Sequence, residues 1–195
     1  MTDTERDTTP ESRISLPLSS RWRRAGTEFA LWLRTPVSAA VYATLIVTFG
    51  FQVARVEGRS MEPTLHDQDR LVVNKLAYRV HDPKVGDVVM LLHPSNPDQA
   101  LVKRIVAAPG DTVAFREGII LRNGAVVDEE FVPANLRSFE DRPPVVVPDG
   151  FYFVLGDHRN NSSDSRTFGP VPKKYILGRI QLRWWPIPDA KSFEP

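Results

Sequence analysis

The segment 35–54, between Arg34 and Arg55, contains no charged side chain. As an α-helix it would be about 30 Å long, which matches the hydrocarbon thickness of a bilayer. A buried core helix and a cleavable signal sequence are the alternatives. The segment is longer than the usual apolar core of a signal sequence, and the polar residues 1–34 precede it. It therefore predicts one transmembrane anchor.

Basic residues before this segment predict its orientation. Lysine and arginine near the end of a span tend to stay cytoplasmic, and four arginines against one glutamate lie here: Arg21, Arg23, Arg24, Arg34 and Glu28. We expect residues 1–34 to be a cytoplasmic tail, largely disordered because residues 1–20 are mostly polar. Residues 55–195 are then an extracytoplasmic domain.

Residues beyond the anchor show the alternation of apolar and polar side chains that is typical of β-strands. The predicted strands lie in DRLVVNKLAY, GDVVMLLHP, LVKRIVAAPGDTVAF, GIILRNGAVV, GFYFVLGD and GRIQLRWWP. Asn123-Gly124 is typical of a type I′ hairpin, because both central residues must adopt positive φ. No interval is long enough for the crossover helices of a parallel sheet. The sequence predicts a mostly β fold built from antiparallel sheets.

Composition excludes several kinds of chemistry. The chain has no cysteine, so thiol nucleophiles, thiolate metal sites and disulfides are excluded. Lys plus Arg is 25 and Asp plus Glu is 24, a net charge of +1, which does not favour a nucleic-acid partner. The histidines fit no zinc-binding frame and are expected at the surface: His66, His81, His93 and His158. We expect no metal and no cofactor.

Ser60 is the first candidate for catalysis. It lies a few residues beyond the predicted anchor, within a segment in which Pro63 biases Glu62 towards an extended conformation. A fixed turn at this point would present the serine hydroxyl and backbone N–H together. An ordinary turn serine fits equally well, because a serine nucleophile needs a base.

Lys103 is the second candidate, because it falls inside an apolar strand. Alternation places Leu101, Lys103 and Ile105 on one face and Val102 and Arg104 on the other. If the amine is buried, its pKa falls and the neutral form can accept a proton from a hydroxyl. A lysine that extends from a sheet edge into water is the alternative.

A polar loop over residues 156–166 is the third candidate. Its hydroxyl and amide groups are of the kind that orient a lysine amine, and a pair of Asp164 with Arg166 or Arg159 would brace the loop. Loops as polar as this one are also common on surfaces without any function.

Three motifs occur in a fixed order: S-M-x-P-T-L from Ser60, K-R-I-V-A-A-P-G-D from Lys103, and G-D-x-R-x-N-S-x-D-S-R in the polar loop. Together with the anchor, they resemble type I signal peptidase over residues 56–185. The resemblance implies that Ser60 is the nucleophile and Lys103 the general base. It also implies that Ser162 bonds to Lys103, with Asp164, Arg166 and Arg104 as supporting residues.

The resemblance further implies a membrane-tethered, mostly β catalytic domain that cuts exported preproteins after A-x-A sites. The expected partners are preproteins, the lipid bilayer of a bacterial cell membrane and the export translocon. Four residues are expected to form apolar walls that admit only small side chains: Val56, Met61, Leu65 and Val102.

The chain departs from the family pattern at two positions. Gly58 stands where some members carry a hydroxyl that serves the oxyanion, and His158 stands where asparagine is frequent. Two alternatives remain. One is a self-cleaving repressor-type peptidase, which would need a DNA-binding segment in place of the anchor. The other is a non-catalytic, membrane-tethered β domain that assists export or assembly.

Overall fold

The computed structural model describes residues 36–44 and 48–193. The chain divides into two compact units at residues 45/46. Residues 36–44 of the first unit are helical, and residues 48–50 are the first described residues of the second unit and are also helical. No helix in these described ranges is long and apolar enough to cross a membrane. The predicted tail, residues 1–34, lies outside the described residues.

The predicted anchor extends too far at its C-terminal end. Its last four residues, Phe51–Ala54, belong to a β-strand, Phe51–Arg55. This strand pairs with Arg70–Asn74 along its whole length, from Phe51↔Asn74 to Arg55↔Arg70. Uncharged residues with β-branched and aromatic side chains suit a paired strand as well as a bilayer, so the absence of charge did not mark the boundary.

Twelve strands occur in the described residues, and every pairing between them is antiparallel. They are β1 Phe51–Arg55, β2 Arg70–Asn74, β3 Val88–His93, β4 Asn96–Ala107, β5 Thr112–Arg116, β6 Ile119–Arg122, β7 Ala125–Val126, β8 Arg142–Val146, β9 Phe151–Leu155, β10 Val171–Pro172, β11 Ile176–Trp185 and β12 Lys191–Ser192. The prediction of a mostly β, antiparallel fold is confirmed.

The described strands form two sheets. The larger has the order β1-β2-β11-β3-β4-β9-β10, with β12 paired to β11, and the smaller has the order β7-β6-β5-β8. Between residues 51 and 193, helical structure is limited to single turns: Ala77–Val80, Ser165–Phe168 and the 3₁₀ turns Ala134–Leu136, Arg159–Asn161, Lys173–Tyr175 and Ile187–Asp189.

Turn chemistry explains where several strands end. The Asn123-Gly124 hairpin is confirmed, with φ of 54° and 81°. The predicted strand at residues 69–78 ends at Asn74, because the Asn74 side-chain oxygen accepts from the N–H groups of Leu76 and Ala77 and one helical turn follows.

The core lies on both faces of the larger sheet. Along β3, Val88 and Met90 join one buried cluster, whereas Val89 and Leu91 join another. A third cluster includes Phe115 of the smaller sheet and Phe153 of the larger one.

The smaller sheet has two unusual edges. At one edge, β7 is only two residues long, Ala125–Val126. At the other edge, β8 carries the consecutive prolines Pro143 and Pro144. Proline lacks a backbone N–H, so it is tolerated in a strand at an edge rather than in the interior of a sheet.

Candidate active site

Ser60 lies in the loop that joins β1 to β2. The ends of this loop are tied together by backbone hydrogen bonds from Val56 N–H to the Asp69 carbonyl, 2.8 Å, and from Gln68 N–H to the Val56 carbonyl, 2.9 Å. Met61, which follows Ser60, is 1% exposed and anchors the loop in the core. The peptide between Glu62 and Pro63 is cis. The loop is therefore held at its base and next to the serine.

Lys103 reaches Ser60 from the middle of β4. Its Nζ lies 2.6 Å from Ser60 Oγ, and the lysine is 2% exposed. Burial lowers the pKa of the Lys103 amine to about 8, although the nearby carboxylates of Asp164 and Asp157 act in the opposite direction. The predicted alternation along β4 is confirmed, since Leu101 and Ile105 pack in one cluster and Val102 against another. The lysine that extends into water is excluded.

The polar loop after β9 packs directly on the serine. A side chain at Gly156 would collide with the Ser60 carbonyl oxygen and with Ser162, so the two segments meet through a residue without a Cβ. The backbone N–H of His158 donates to the Ser60 carbonyl, 3.1 Å. Glycine is thus required here for a close approach of two backbones.

Asp164 and Arg166 form the expected pair. Arg166 donates to both oxygens of Asp164, through Nε at 2.9 Å and Nη2 at 2.8 Å. The fully buried Asp164 also accepts from Gly156 N–H, 3.1 Å. Arg159, the other partner considered for Asp164, pairs with Glu129 instead. The loop is therefore braced from within.

Asp157 was missed by the sequence analysis. It is fully buried, and Arg104 donates to both of its oxygens, at 2.9 and 2.6 Å. The Thr64 hydroxyl donates to the same carboxylate, 2.6 Å. Asp157 thereby joins the serine loop, the lysine strand and the polar loop. The sequence signal for this pair is that Arg104 adjoins Lys103 and Asp157 adjoins Gly156.

The expected hydrogen bond between Ser162 and Lys103 is not formed. Ser162 Oγ is buried without a hydrogen-bond partner among the described residues. Its side chain lies against Gly156, whereas the Lys103 amine is directed at Ser60 Oγ. This prediction from the resemblance is wrong in its geometry.

A cleft of about 550 Å³ opens beside Ser60. Val56, Met61 and Val102 line it, as expected, together with β4 residues from Asn96 onwards. Leu65 does not line it. The Leu65 N–H bonds to the Met61 carbonyl, 2.9 Å, and this turn directs Leu65 into the core, where it is fully buried. Its assignment to the cleft wall was wrong.

Gly58 lies two residues before Ser60, and the four histidines lie in different environments. Gly58 has φ of +92°, a conformation that side chains rarely adopt, and its N–H donates to Asp67 Oδ1, 2.9 Å. His66 and His81 are exposed, as expected, whereas His93 lies in β3 and His158 contacts the serine loop. No three histidine, aspartate or glutamate side chains of the described ranges come together as metal ligands.

Comparisons with known proteins agree with these motifs. The family model described as signal peptidase, peptidase S26, matches residues 29–185. A probable signal peptidase I-2 of Synechocystis sp. is 41% identical over 165 residues, 80% of this chain and 75% of that protein. The signal peptidase I of Bacillus amyloliquefaciens is 38% identical over 170 residues, 83% of this chain and 90% of that one. A crystal structure of a signal peptidase I from Enterococcus faecalis is 31% identical, with a TM-score of 0.45, covering 51% of this chain and 97% of its own.

Proposed function

The chain belongs to the signal peptidase family, peptidase S26, and we propose that it removes signal peptides from exported preproteins with Ser60 as nucleophile and Lys103 as general base. The observation that supports these roles is the 2.6 Å contact between a half-buried hydroxyl and a buried amine whose pKa is lowered to about 8. Among the described residues, the amine of Lys103 contacts Ser60 Oγ, whereas the ring of His158 contacts the Arg59 carbonyl.

The reaction proceeds by acyl transfer in two steps. Neutral Lys103 takes the proton of the Ser60 hydroxyl, and the oxygen attacks the scissile carbonyl. The resulting ammonium returns the proton to the leaving amine, which frees the C-terminal product and leaves an acyl-enzyme. Lys103 then deprotonates a water molecule that hydrolyses the ester and restores Ser60.

The negative charge on the tetrahedral intermediate is stabilised by the Ser60 backbone N–H. Position 58 contributes no side-chain donor, since it is a glycine whose φ of +92° disfavours any other residue. Arg104, Asp157, Asp164 and Arg166 do not take part in proton transfer. Arg104 and Asp157 join β4, the polar loop and, through Thr64, the serine loop, whereas Asp164 and Arg166 brace the polar loop from within.

The cleft selects the substrate. Val56, Met61 and Val102 form apolar walls beside Ser60, and walls of this kind favour the small side chains of an A-x-A site at the first and third positions before the cut. Enlarging the cleft with Val102→Ala is expected to admit larger side chains at these positions.

The catalytic domain is tethered to a bacterial cell membrane by residues 35–50, the uncharged segment that precedes β1. As a helix this segment would be about 24 Å long, a mismatch that local thinning of the bilayer accommodates. In this proposal residues 1–34 are a cytoplasmic tail, the domain faces the opposite side, and the translocon delivers the preprotein. Alkaline extraction of membranes and protease protection of the tail test the arrangement. Release of the full chain by alkali would contradict the anchor.

Cleavage of a preprotein with an A-x-A site by the detergent-solubilised full chain tests the chemistry. The parent chain and the control His81→Ala, at an exposed histidine, are expected to cut. Ser60→Ala and Lys103→Ala are expected to lose activity by about 10³-fold or more, as other variants that lack a nucleophile or base do. Retention of activity in Lys103→Ala would overturn the assignment of the base, and inactivity of the parent would overturn the function.

A further inference from the structure

His158 contacts the peptide groups on both sides of Ser60. Its backbone N–H donates to the Ser60 carbonyl, 3.1 Å, and its ring Nδ1 lies 3.1 Å from the Arg59 carbonyl oxygen. No role in the mechanism above uses this residue. One residue of the polar loop therefore holds the backbone before and after the serine.

The ring contact is shielded and reinforced by Glu62. His158 Nδ1 lies 3.5 Å from Glu62 Oε2, and the two side chains are only 13% and 16% exposed. The other oxygen of Glu62 accepts from Arg59 Nε, 2.8 Å, and the Glu62 N–H donates to the Arg59 carbonyl, 3.2 Å. Arg59, Glu62 and His158 thus form a closed set of contacts around the turn that carries Ser60.

The chemistry of the contact defines which side chains can make it. A carbonyl oxygen only accepts, so Nδ1 of His158 must carry the hydrogen. Nδ1 is bonded directly to Cγ, and the amide nitrogen of asparagine occupies the same place. Aspartate has the same shape as asparagine but carries no N–H donor, and the side chain of leucine has neither a donor nor an acceptor.

We propose that His158 is a positioning residue, which keeps the Ser60 hydroxyl opposite Lys103 by donating from Nδ1 to the Arg59 carbonyl. The inference rests on the proposed function for its kinetic consequence. The Ser60–Lys103 contact is 2.6 Å, and loss of alignment between reacting groups lowers the rate of the chemical step more than it lowers substrate binding.

The kinetic test compares His158→Asn, His158→Asp and His158→Leu in the full-length protein, with His81→Asn as the control for loss of an exposed histidine. The Asp and Leu variants are expected to lower kcat about three- to tenfold, the range of one hydrogen bond, with KM within about twofold. The Asn variant is expected to retain parental kcat. Equal losses in the Asn and Leu variants, or a change confined to KM, would refute the role of the donor.

A second readout does not depend on activity. Amide hydrogen exchange of the segment 57–65 is expected to be faster in His158→Leu and His158→Asp than in the parent, and parental in His158→Asn. Parental exchange in His158→Leu would refute the positioning role. If no protein in the series cuts the preprotein but the exchange pattern appears, the proposed function fails while the positioning of the serine loop stands.

Discussion

Acidification tests the role of Lys103 directly, because the amine must be neutral to accept the Ser60 proton. Burial lowers the pKa of Lys103 from 10.5 to about 8. At pH 7, a pKa of 8 leaves about one amine in ten neutral, which is about 300 times the neutral fraction at a pKa of 10.5. The buried position of the lysine is thus the source of a usable base.

The pH profile follows from this value. Between pH 9 and pH 6 the neutral fraction falls from about 90% to about 1%, so kcat/KM is expected to fall about 90-fold, approaching tenfold per unit below pH 7. Circular dichroism measured over the same pH range serves as the control. A constant spectrum shows that the loss of activity comes from protonation of Lys103 and not from unfolding.

The assay is initial-rate cleavage of a preprotein with an A-x-A site from pH 5.5 to 10, at substrate concentrations well below KM. His158→Asn serves as the matched variant, because it removes the imidazole nearest Ser60 and should leave the acidic limb in place. A flat profile from pH 6 to 9, or a limb that disappears with the imidazole, would refute Lys103 as the base.

Three other variants probe the same region. Lys103→Met is expected to raise the free energy of unfolding by about 3 kcal/mol below pH 8, because there the amine is protonated in both the folded and the unfolded state and its burial destabilises the folded one. The gain should vanish as pH rises towards 10.5, where the amine is neutral in the folded state and loses its proton in the unfolded state as well. Urea titration checks it, with Lys84→Met as an exposed control. Gly156→Ala should abolish cleavage and lower the melting temperature more than Gly86→Ala, which introduces backbone strain at φ of +96° but no collision of the added Cβ; equal effects would contradict the close approach. Asp157→Asn is expected to cost about 3 kcal/mol in urea unfolding, since the mostly buried Arg104 loses its carboxylate partner; a loss below about 1 kcal/mol would mean that the pair contributes little.

Local patterns in the sequence predicted much of the fold. The alternation of Leu101 and Ile105 against Val102 has a period of two, which depends only on the strand itself. The Asn123-Gly124 turn depends on two residues that tolerate positive φ. Both features are local, so neither required knowledge of the rest of the molecule.

The features that were missed depend on segments distant in the chain. Asp157 meets Arg104 because β9 pairs with β4 in a register that aligns Arg104 with Leu155, and no local pattern specifies that register. Leu65 is close to Ser60 in sequence, but a turn directs it into the core. Ser162 occupies the expected motif position, yet the packing of Gly156 determines where its hydroxyl lies.

The two edges of the smaller sheet bear on how the domain behaves at high concentration. An exposed edge strand offers unpaired N–H and C=O groups to which another chain can add a strand. Pro143 and Pro144 remove two donors from β8, and β7 is too short to offer a continuous row. Neither edge is a template for fibril growth or sheet-to-sheet dimers. The smaller sheet therefore resists the addition of a strand from another polypeptide at both of its edges.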